Sequence, residues 1–184
     1  SDAAALTEDA LAWLDAREGA APFFMMVHPV DPHDPYVPMV EDRGVFADHD
    51  ALLFPIDVSE VEQSMALGRV ALEGDAVAQA RLAQQLPAVY DEQLLGLDRG
   101  LEALLLGLGA RGLLEQTLVV FVADHGEALL DTDNLLLGHG KSYAPEVLEL
   151  PFMLLHPALS PGRSACLAAQ ADVLPTTLAA LDLP

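Results

Sequence analysis

Two short polar segments in the second half of the chain carry the residue types that could do chemistry. One is Asp124–Gly126 (DHG) and the other is Gly138–Lys141 (GHGK). A carboxylate and an imidazole are ligands that divalent cations accept, and an ammonium group binds anions. Lys141 is the only lysine of a chain whose net charge is −21. The two segments together predict a site that joins an ion at Asp124 and His125 to an anion ligand at Lys141.

The first segment follows a predicted β-strand, Leu118–Val122. Its residues are all apolar, and most are β-branched or aromatic, which predicts a strand covered on both faces. Open α/β sheets bind ligands at the carboxyl ends of such strands. Because adjacent side chains of a strand point to opposite faces, Asp124 and His125 can reach one ion only where the chain turns, and Gly126 permits that turn. The alternative is an Asx-type turn with a capping histidine, and a mobile loop would equally explain Gly138–Lys141.

A further candidate residue, His33, lies in a loop rich in proline. Residues 29–38 contain four prolines, and each proline restricts the residue before it to extended conformations, so the loop is predicted to be rigid. The loop follows another continuous apolar run, Pro22–His28, which predicts a second core strand. A rigid loop would fix the presentation of His33 and Tyr36, as a binding site requires. The alternative is an ordinary surface histidine.

Helical spacing and capping residues predict the remaining elements. Thr7 is the predicted N-cap of the first helix, and Ser59 and Glu62 form a capping box. Pro87 must start a new segment or kink the third helix, and His49 is expected to be an exposed loop residue. The predicted elements are helices at Thr7–Arg17, Ser59–Glu73, Ala76–Leu108 and Asp172–Leu181 and a strand at Phe152–Leu155. Since helices and strands alternate, we expect an α/β fold with a mostly parallel sheet flanked by helices.

Length and composition exclude several classes of protein. With 184 residues, of which 52% are hydrophobic, we expect a single α/β domain over residues 1–184. The net charge of −21 argues against binding nucleic acid or an anionic membrane through a basic surface. No apolar run approaches the roughly 20 residues of a membrane-spanning helix, so no membrane segment is expected in this chain. The single cysteine, Cys166, excludes an intrachain disulfide and is expected to be buried or half-buried.

The ordered set of motifs resembles the later part of a sulfatase of the alkaline phosphatase superfamily. The matching segments cover most of residues 20–184 in the family's order: PFFMMVHPVDPHDPYVP, YDEQLLGLDRGLEALLLGLGARGLLEQTLVVFVADHGE, the GHGK loop and DVLPTTLAALDLP. The resemblance implies an alkaline-phosphatase-like α/β fold that lacks its N-terminal part. The chain is therefore expected to be a fragment of a longer sulfatase-like catalytic domain.

The resemblance also assigns roles to residues by their position in the motifs. Asp124 and His125 match the late pair of metal ligands, with calcium as the first expectation and manganese, magnesium or zinc as alternatives. His33 matches the histidine of an H-x-P-Y element that contacts the sulfate or the leaving oxygen. Lys141 matches the lysine that binds the sulfate, and His139 beside it is the candidate proton donor to the leaving group. The implied catalytic and substrate-binding residues are therefore His33, His139 and Lys141.

The chain departs from the family pattern at the nucleophile. The family carries it in a C/S-x-P-x-R element whose cysteine or serine becomes formylglycine, and no such element occurs in this sequence. The early strand with paired metal aspartates is missing as well. Formylglycine is therefore expected only in an upstream segment, and the 184 residues alone are expected to be inactive as a hydrolase.

The implied function is metal-dependent cleavage of a sulfate ester in a small molecule or glycan. One alternative is a phosphonate or phosphodiester hydrolase or a phosphoethanolamine-type transferase of the same superfamily, because the same groups serve phosphorylated substrates. Another alternative is a non-catalytic binding module. A truncated sheet would leave an apolar edge uncovered, so self-association of the isolated chain is expected. The sequence leaves periplasmic, secreted and cytoplasmic locations open.

Overall fold

The computed structural model describes residues 3–130, 136–140 and 142–184. The described α-helices are α1 (Ala3–Ala16), α2 (Glu60–Glu73), α3 (Ala76–Ala110), α4 (Pro145–Leu148) and α5 (Val173–Ala180). The described strands are β1 (Val119–Val122), β2 (Ala128–Leu129), β3 (Leu137–Gly138) and β4 (Phe152–Leu155). Short 3-10 helices lie at Val40–Asp42, His49–Ala51, Leu114–Gln116 and Gln170–Asp172. No helix within these ranges is long and apolar enough to cross a membrane.

The chain divides into two compact units. The first contains residues 1–107 and 128–138, and the second contains residues 108–127 and 139–184. The first unit holds α1, α2, most of α3 and the β2–β3 pair, whereas the second holds β1, β4, α4 and α5. The expectation of one domain over residues 1–184 stays a prediction.

Helix α1 begins four residues before the predicted N-cap. Thr7 lies inside the helix, on a buried face that also contains Ala3, Ala10 and Leu14 at helical spacing. Its hydroxyl donates a hydrogen bond to the carbonyl of Gly100 in α3 at 2.9 Å. The capping role predicted for Thr7 is therefore wrong, because the polar side chain finds its partner on a neighbouring helix rather than at its own helix start.

The capping box at the start of α2 is confirmed. The Ser59 hydroxyl accepts a hydrogen bond from the Glu62 amide at 3.3 Å, and the Glu62 carboxylate accepts one from the Ser59 amide at 3.1 Å. These bonds pair amides that the first turn of a helix cannot satisfy internally. The helix therefore begins where the sequence predicts.

Pro87 lies inside α3, which continues across it as one helix. The first of its two predicted effects, the start of a new segment, is not observed. Proline removes one main-chain hydrogen bond from a helix. Around it, however, Leu82, Leu86 and Val89 are wholly buried, and each such side chain contributes about 1.5–3 kcal/mol on burial. Packing therefore outweighs the missing bond.

The core of the first unit joins α2 and α3 to the segment that precedes α2. Its buried side chains are Tyr36, Ala47, Phe54, Leu67, Leu82, Leu86, Val89, Leu129 and Leu130. Tyr36 and Phe54 belong to residues 17–59, where the structure has only short 3-10 helices. Side-chain burial, rather than backbone ladders, therefore fixes this irregular segment.

A buried carboxylate, Glu92 of α3, holds part of the same segment. Its Oε1 atom accepts hydrogen bonds from the amides of Gly44, Phe46 and Ala47 at 2.9–3.0 Å. Its Oε2 atom lies 2.5 Å from Nε2 of His49, whose side chain is only 17% exposed. The prediction that His49 is an exposed loop residue is therefore wrong, because its ring pairs with a carboxylate that α3 places in the interior.

Pro22–His28 has no regular secondary structure in this chain. Within the described ranges, no backbone hydrogen bond joins it to another strand. Phe24 and Met26 are 85% and 75% exposed, whereas Met25 and Val27 are half-buried and line a groove beside α1. The predicted core strand is therefore wrong, because alternate side chains of this run face solvent.

The second unit contains the antiparallel pair β1–β4, in which Val119 lies opposite Leu155 and Val122 lies opposite Phe152. Both strands are confirmed to within one residue. The expected cover on both faces of β1 is not observed, since Val122 is 41% exposed. The β2–β3 pair of the first unit is also antiparallel. The mixed α/β class is therefore confirmed, and the mostly parallel sheet stays a prediction.

The last helix, α5, agrees with its predicted bounds to within one residue, but Asp172 is not its side-chain cap. The Asp172 carboxylate accepts a hydrogen bond from the Ala169 amide at 2.7 Å, which closes the short 3-10 turn before α5. Cys166 is exposed. The expectation of a buried thiol is therefore wrong, because residues 157–172 all lie at the surface of the described chain.

Candidate active site

The candidate site starts where β1 ends, and Gly126 fixes the path of the chain there. Its amide donates a hydrogen bond to the Val147 carbonyl at 2.9 Å. A Cβ atom on Gly126 would lie 2.0 Å from the Glu146 carbonyl oxygen, which is too close without a shift of the backbone. A glycine is therefore needed at position 126 because the chain passes close to the backbone of α4. The sequence analysis predicts the same glycine for a different reason, a turn of the chain.

Asp124 presents its carboxylate at the exposed edge of this loop. Its Oδ1 atom accepts a hydrogen bond from the His125 amide at 2.9 Å, and its side chain is 68% exposed. The backbone of Asp124 is held in place, because the Gln170 side-chain amide donates a hydrogen bond to the carbonyl oxygen of Asp124. The Oδ2 atom lies 3.8 Å from Nε2 of His125. Two potential metal-ligand atoms therefore face each other across less than 4 Å.

The His125 ring is held in one orientation by its own loop. Its Nδ1 atom lies 2.9 Å from the Gly126 carbonyl oxygen. A carbonyl can only accept, so Nδ1 carries the hydrogen of this bond and Nε2 keeps its lone pair in the neutral ring. Metal-binding histidines are oriented by such a bond on the other ring nitrogen. The donor set of Asp124 and His125 therefore fits a divalent cation, and their sharing of one ion stays a prediction.

Glu127 is a site residue that the motif analysis misses. Its side chain is only 6% exposed, and its Oε2 atom lies 3.1 Å from Nδ1 of His139. Glu127 directly precedes β2, in the segment that continues from β1 through Gly126. In the sequence, Glu127 is marked only by its position two residues after His125. No local rule pairs it with a histidine in another loop.

The rings of His125 and His139 stack on each other. Their centroids are 3.9 Å apart, and their planes meet at 26°. His139 lies between Gly138 and Gly140, whose φ angles are 80° and 73°, in a region that residues with a Cβ atom rarely adopt. Two glycines thus turn the chain on either side of the imidazole. Lys141 lies outside the described residues, so its anion-binding role stays a prediction.

The two histidines line a cavity of about 490 Å³ in the second unit. Asp124, Ser142 and Gln170 contribute further polar groups to its wall. Its apolar lining comes from β1, β4, α4 and α5 and from adjoining residues: Val122, Val147, Leu148, Leu150, Pro151, Phe152 and Val173. A mostly apolar cavity of this size with a few convergent polar groups is typical of small-molecule sites.

His33 belongs to the first unit, in the proline-rich loop. Its Nδ1 atom lies 2.7 Å from the Asp34 carboxylate, and its side chain is 34% exposed. Tyr36 is only 2% exposed, so it is a core residue rather than a surface ligand. Gln63 of α2 binds its backbone on both sides: Oε1 accepts from the Tyr36 amide at 2.6 Å, and Nε2 donates to the Tyr36 carbonyl at 3.1 Å.

Comparison with known protein families identifies the family of this chain. The profile of the Sulfatase family matches residues 1–183. The chain belongs to the sulfatase family. Membership supports hydrolysis of sulfate esters at the level of the family, and it implies an alkaline-phosphatase-like α/β fold.

Two curated sulfatases are similar to the chain. Human arylsulfatase A is 33% identical over 102 residues, which make up 52% of this chain and 20% of that protein. An endo-4-O-sulfatase of Bacteroides thetaiotaomicron is 26% identical over 171 residues, which make up 89% of this chain and 30% of that protein. The chain therefore spans about 20% and 30% of the length of these two sulfatases.

The described residues of the sulfatase chain bring together only part of the predicted site. His125 and His139 share one cavity with Asp124, and the Glu127 carboxylate lies 3.1 Å from Nδ1 of His139. His33 belongs to the first unit. The site thus contains one unpredicted carboxylate, Glu127, in addition to the predicted groups.

The support that Gln63 gives to the His33 loop of this sulfatase-family chain can be measured. Gln63→Leu should lower the free energy of unfolding by about 2–4 kcal/mol, because each buried polar group left unpaired costs about 1–3 kcal/mol. The groups affected are the Tyr36 amide and carbonyl and the Pro55 carbonyl, which also accepts from Gln63. Urea denaturation would measure the loss. Gln84→Leu is the matched control, because Gln84 is exposed on α3, and equal stability of the two variants would contradict the role of Gln63.

Proposed function

We propose that this sulfatase chain supplies metal-binding and sulfate-binding groups to a sulfate ester hydrolase. The observation that carries the proposal is the convergence of Asp124, His125 and His139 on one cavity. Family membership supports the reaction class, and the cavity lies at the carboxyl end of β1, where the sequence predicts a site. Because the chain spans about 20% and 30% of the two similar sulfatases, the activity is proposed for a longer protein that contains this chain.

Asp124 and His125 are the proposed ligands of a divalent cation, with Asp124 Oδ2 and His125 Nε2 as the donor atoms. Their separation of 3.8 Å suits two ligands of one ion after a small adjustment. Calcium is the first candidate and manganese, magnesium or zinc are the alternatives, since a carboxylate oxygen suits the harder ions and an imidazole suits the softer ones. When bound, the cation would stabilise negative charge on the oxygens of the transferred sulfuryl group.

His139 is the proposed proton donor to the leaving oxygen. The Glu127 carboxylate accepts a hydrogen bond from Nδ1 at 3.1 Å, so the proton exchanged with a substrate would be carried on Nε2. Buried Glu127 thereby sets the orientation of the ring. Lys141 and His33 are the proposed contacts to the sulfate, because a cation and a hydrogen-bond donor both stabilise an anionic group.

The nucleophile is proposed to lie outside these 184 residues. No C/S-x-P-x-R element occurs among them, and covalent catalysis needs a nucleophile. We therefore expect the isolated chain to fail to hydrolyse sulfate esters, and we expect formylglycine in the segment that supplies this element. The substrate is a sulfated small molecule or glycan.

A direct test is hydrolysis by the full-length protein with an aryl sulfate and the matching aryl phosphate. The sulfate should be the better substrate, and removal of divalent ions with EDTA should abolish turnover. Asp124→Asn should lower kcat/KM for the sulfate by about 100-fold or more, because it removes a proposed metal ligand. Asp98→Asn, an exposed acid on α3, is the matched control.

The outcomes of this test separate the alternatives. Faster cleavage of the phosphate would support phosphoryl chemistry in place of sulfate hydrolysis. Absence of turnover with both substrates, in a protein that still binds metal, would support a binding module. Full activity of Asp124→Asn would remove Asp124 from the metal site.

A further inference from the structure

Three side chains at the candidate site form a cluster that differs from the predicted metal pair. His125, Glu127 and His139 each offer one donor atom, and the three atoms lie within 4.8 Å of one another. We propose that this cluster binds a divalent transition metal, with zinc as the preferred ion, at a site that does not use Asp124. Because the cluster and the pair of Asp124 and His125 would both use Nε2 of His125, an ion in one site excludes an ion in the other. Zinc binding to this chain does not depend on the proposed function.

The donor set selects the class of ion. Two imidazole nitrogens and one carboxylate oxygen match the ligand types of zinc, and three protein ligands with one open position are the arrangement of many zinc centres. Calcium takes six to eight oxygen ligands, and magnesium also prefers oxygen. The cluster therefore favours zinc, cobalt or nickel over the harder ions that Asp124 would suit better.

One distance within the cluster is already close to the distance that a bound ion requires. Two ligands of a tetrahedral zinc ion with bonds of about 2.0–2.2 Å lie roughly 3.4 Å apart. Nδ1 of His139 and Oε2 of Glu127 are already 3.1 Å apart, and the ion would take the place of the proton that Nδ1 donates to this carboxylate. Since His125 donates through Nδ1 to the Gly126 carbonyl, its Nε2 is the ring nitrogen with a lone pair for the metal. The ring planes of the two histidines meet at only 26° in the stacked arrangement, so the rings would turn out of the stack for both lone pairs to point at one ion.

The supports of the cluster are in place before an ion binds. Glu127 is 6% exposed, so its carboxylate cannot be solvated as a surface acid is. Gly126 holds the first loop against α4 through the Val147 carbonyl. Asp124, by contrast, is 68% exposed, and its Oδ1 atom accepts a hydrogen bond from the His125 amide. A buried carboxylate gains more from a nearby cation than an exposed one does.

The decisive experiment is a zinc titration of this 184-residue chain in competition with a chromogenic chelator. Glu127→Gln and His139→Asn should each weaken zinc binding by about tenfold or more, as expected for loss of a ligand. Asp124→Asn should change the affinity by less than about threefold. His156→Asn is the matched control, because it removes a histidine of the same unit whose ring instead accepts from the Ala158 amide. Far-ultraviolet circular dichroism would check that each variant is folded.

A second measurement uses the visible absorption of cobalt(II) bound to the unmodified chain. Cobalt(II) should bind at the same site and give the strong visible absorption of a four-coordinate ion, and zinc should displace it. Weak absorption typical of six-coordinate cobalt would contradict the proposed ligand set. Zinc affinity that falls with Asp124→Asn but is unchanged in Glu127→Gln would also overturn the proposal, because the ion would then sit on Asp124 and His125.

The site has a consequence for catalysis that rests on the proposed function. An ion that holds His139 would keep this residue from donating a proton, so zinc should inhibit the full-length protein at concentrations that match its affinity for this chain. Inhibition that is absent while zinc binding is intact would count against the catalytic role of His139. It would leave the metal site itself standing.

Discussion

His139→Asn should lower kcat of the full-length protein for an alkyl sulfate by about 10²–10⁴-fold, the usual contribution of general acid catalysis. An alkoxide is a poor leaving group and needs a proton as the ester bond breaks. The proposed donor is Nε2 of His139, since the Glu127 carboxylate lies 3.1 Å from Nδ1. Asparagine keeps a polar side chain of similar reach but cannot serve as the acid. KM should change little, because the interaction is made in the transition state.

The dependence on the leaving group separates proton donation from a structural effect. A nitrophenolate leaves readily without a proton, so the loss of kcat with a nitrophenyl sulfate should be much smaller than with the alkyl sulfate. His156→Asn should leave both rates unchanged. Equal losses with the two esters would show that His139 supports the fold or binds the sulfate, and unchanged rates would remove it from the mechanism.

Glu92→Ala should reduce the free energy of unfolding by about 3–5 kcal/mol, because it leaves several buried hydrogen-bonding groups without a partner, at about 1–3 kcal/mol each. Glu92 is 0% exposed and pairs with His49 at 2.5 Å. It also accepts from the amides of Gly44, Phe46 and Ala47, and each amide left unpaired adds to the loss. Urea denaturation at neutral pH would measure the change. Glu102→Ala, an exposed glutamate on α3, should cost far less.

The same carboxylate predicts how stability depends on pH. Burial raises the pKa of Glu92, but hydrogen bonds from the Ala47 and Phe46 amides and from His49 lower it more, so the pKa lies below its usual value. Since the folded chain holds this proton less tightly than the unfolded chain, Glu92 contributes stability above the unfolded pKa of about 4.3. That contribution is lost as the pH falls through the depressed pKa of the folded state.

The pH dependence therefore gives a second readout of the Glu92 prediction. The stability difference between the unmodified chain and Glu92→Ala should shrink as the pH falls below about 4. A difference that stays constant down to that pH would assign the loss to packing alone. Equal stability of Glu92→Ala and Glu102→Ala would contradict the role of Glu92 altogether.

The sequence by itself determined the elements whose causes are local. The capping box of Ser59 and Glu62 needs only four consecutive residues, so the start of α2 could be predicted. The apolar runs of β1 and β4 predicted both strands, and the polar residues after β1 predicted a site at Asp124 and His125. The ordered motifs were sufficient to indicate the sulfatase family.

Only the tertiary structure decided which side chains meet across long separations in the chain. Thr7 resembles an N-cap, but its hydroxyl binds the Gly100 carbonyl. His49 resembles an exposed loop residue, but its ring pairs with the buried carboxylate of Glu92. Glu127 resembles the end of a motif, but its carboxylate contacts the ring of His139, which lies between two glycines of another loop. Capping and periodicity act within a few residues of the chain. Burial, by contrast, removes water from polar groups, so each must form a hydrogen bond with the partner that the fold brings near. That partner cannot be predicted from the local sequence around either residue.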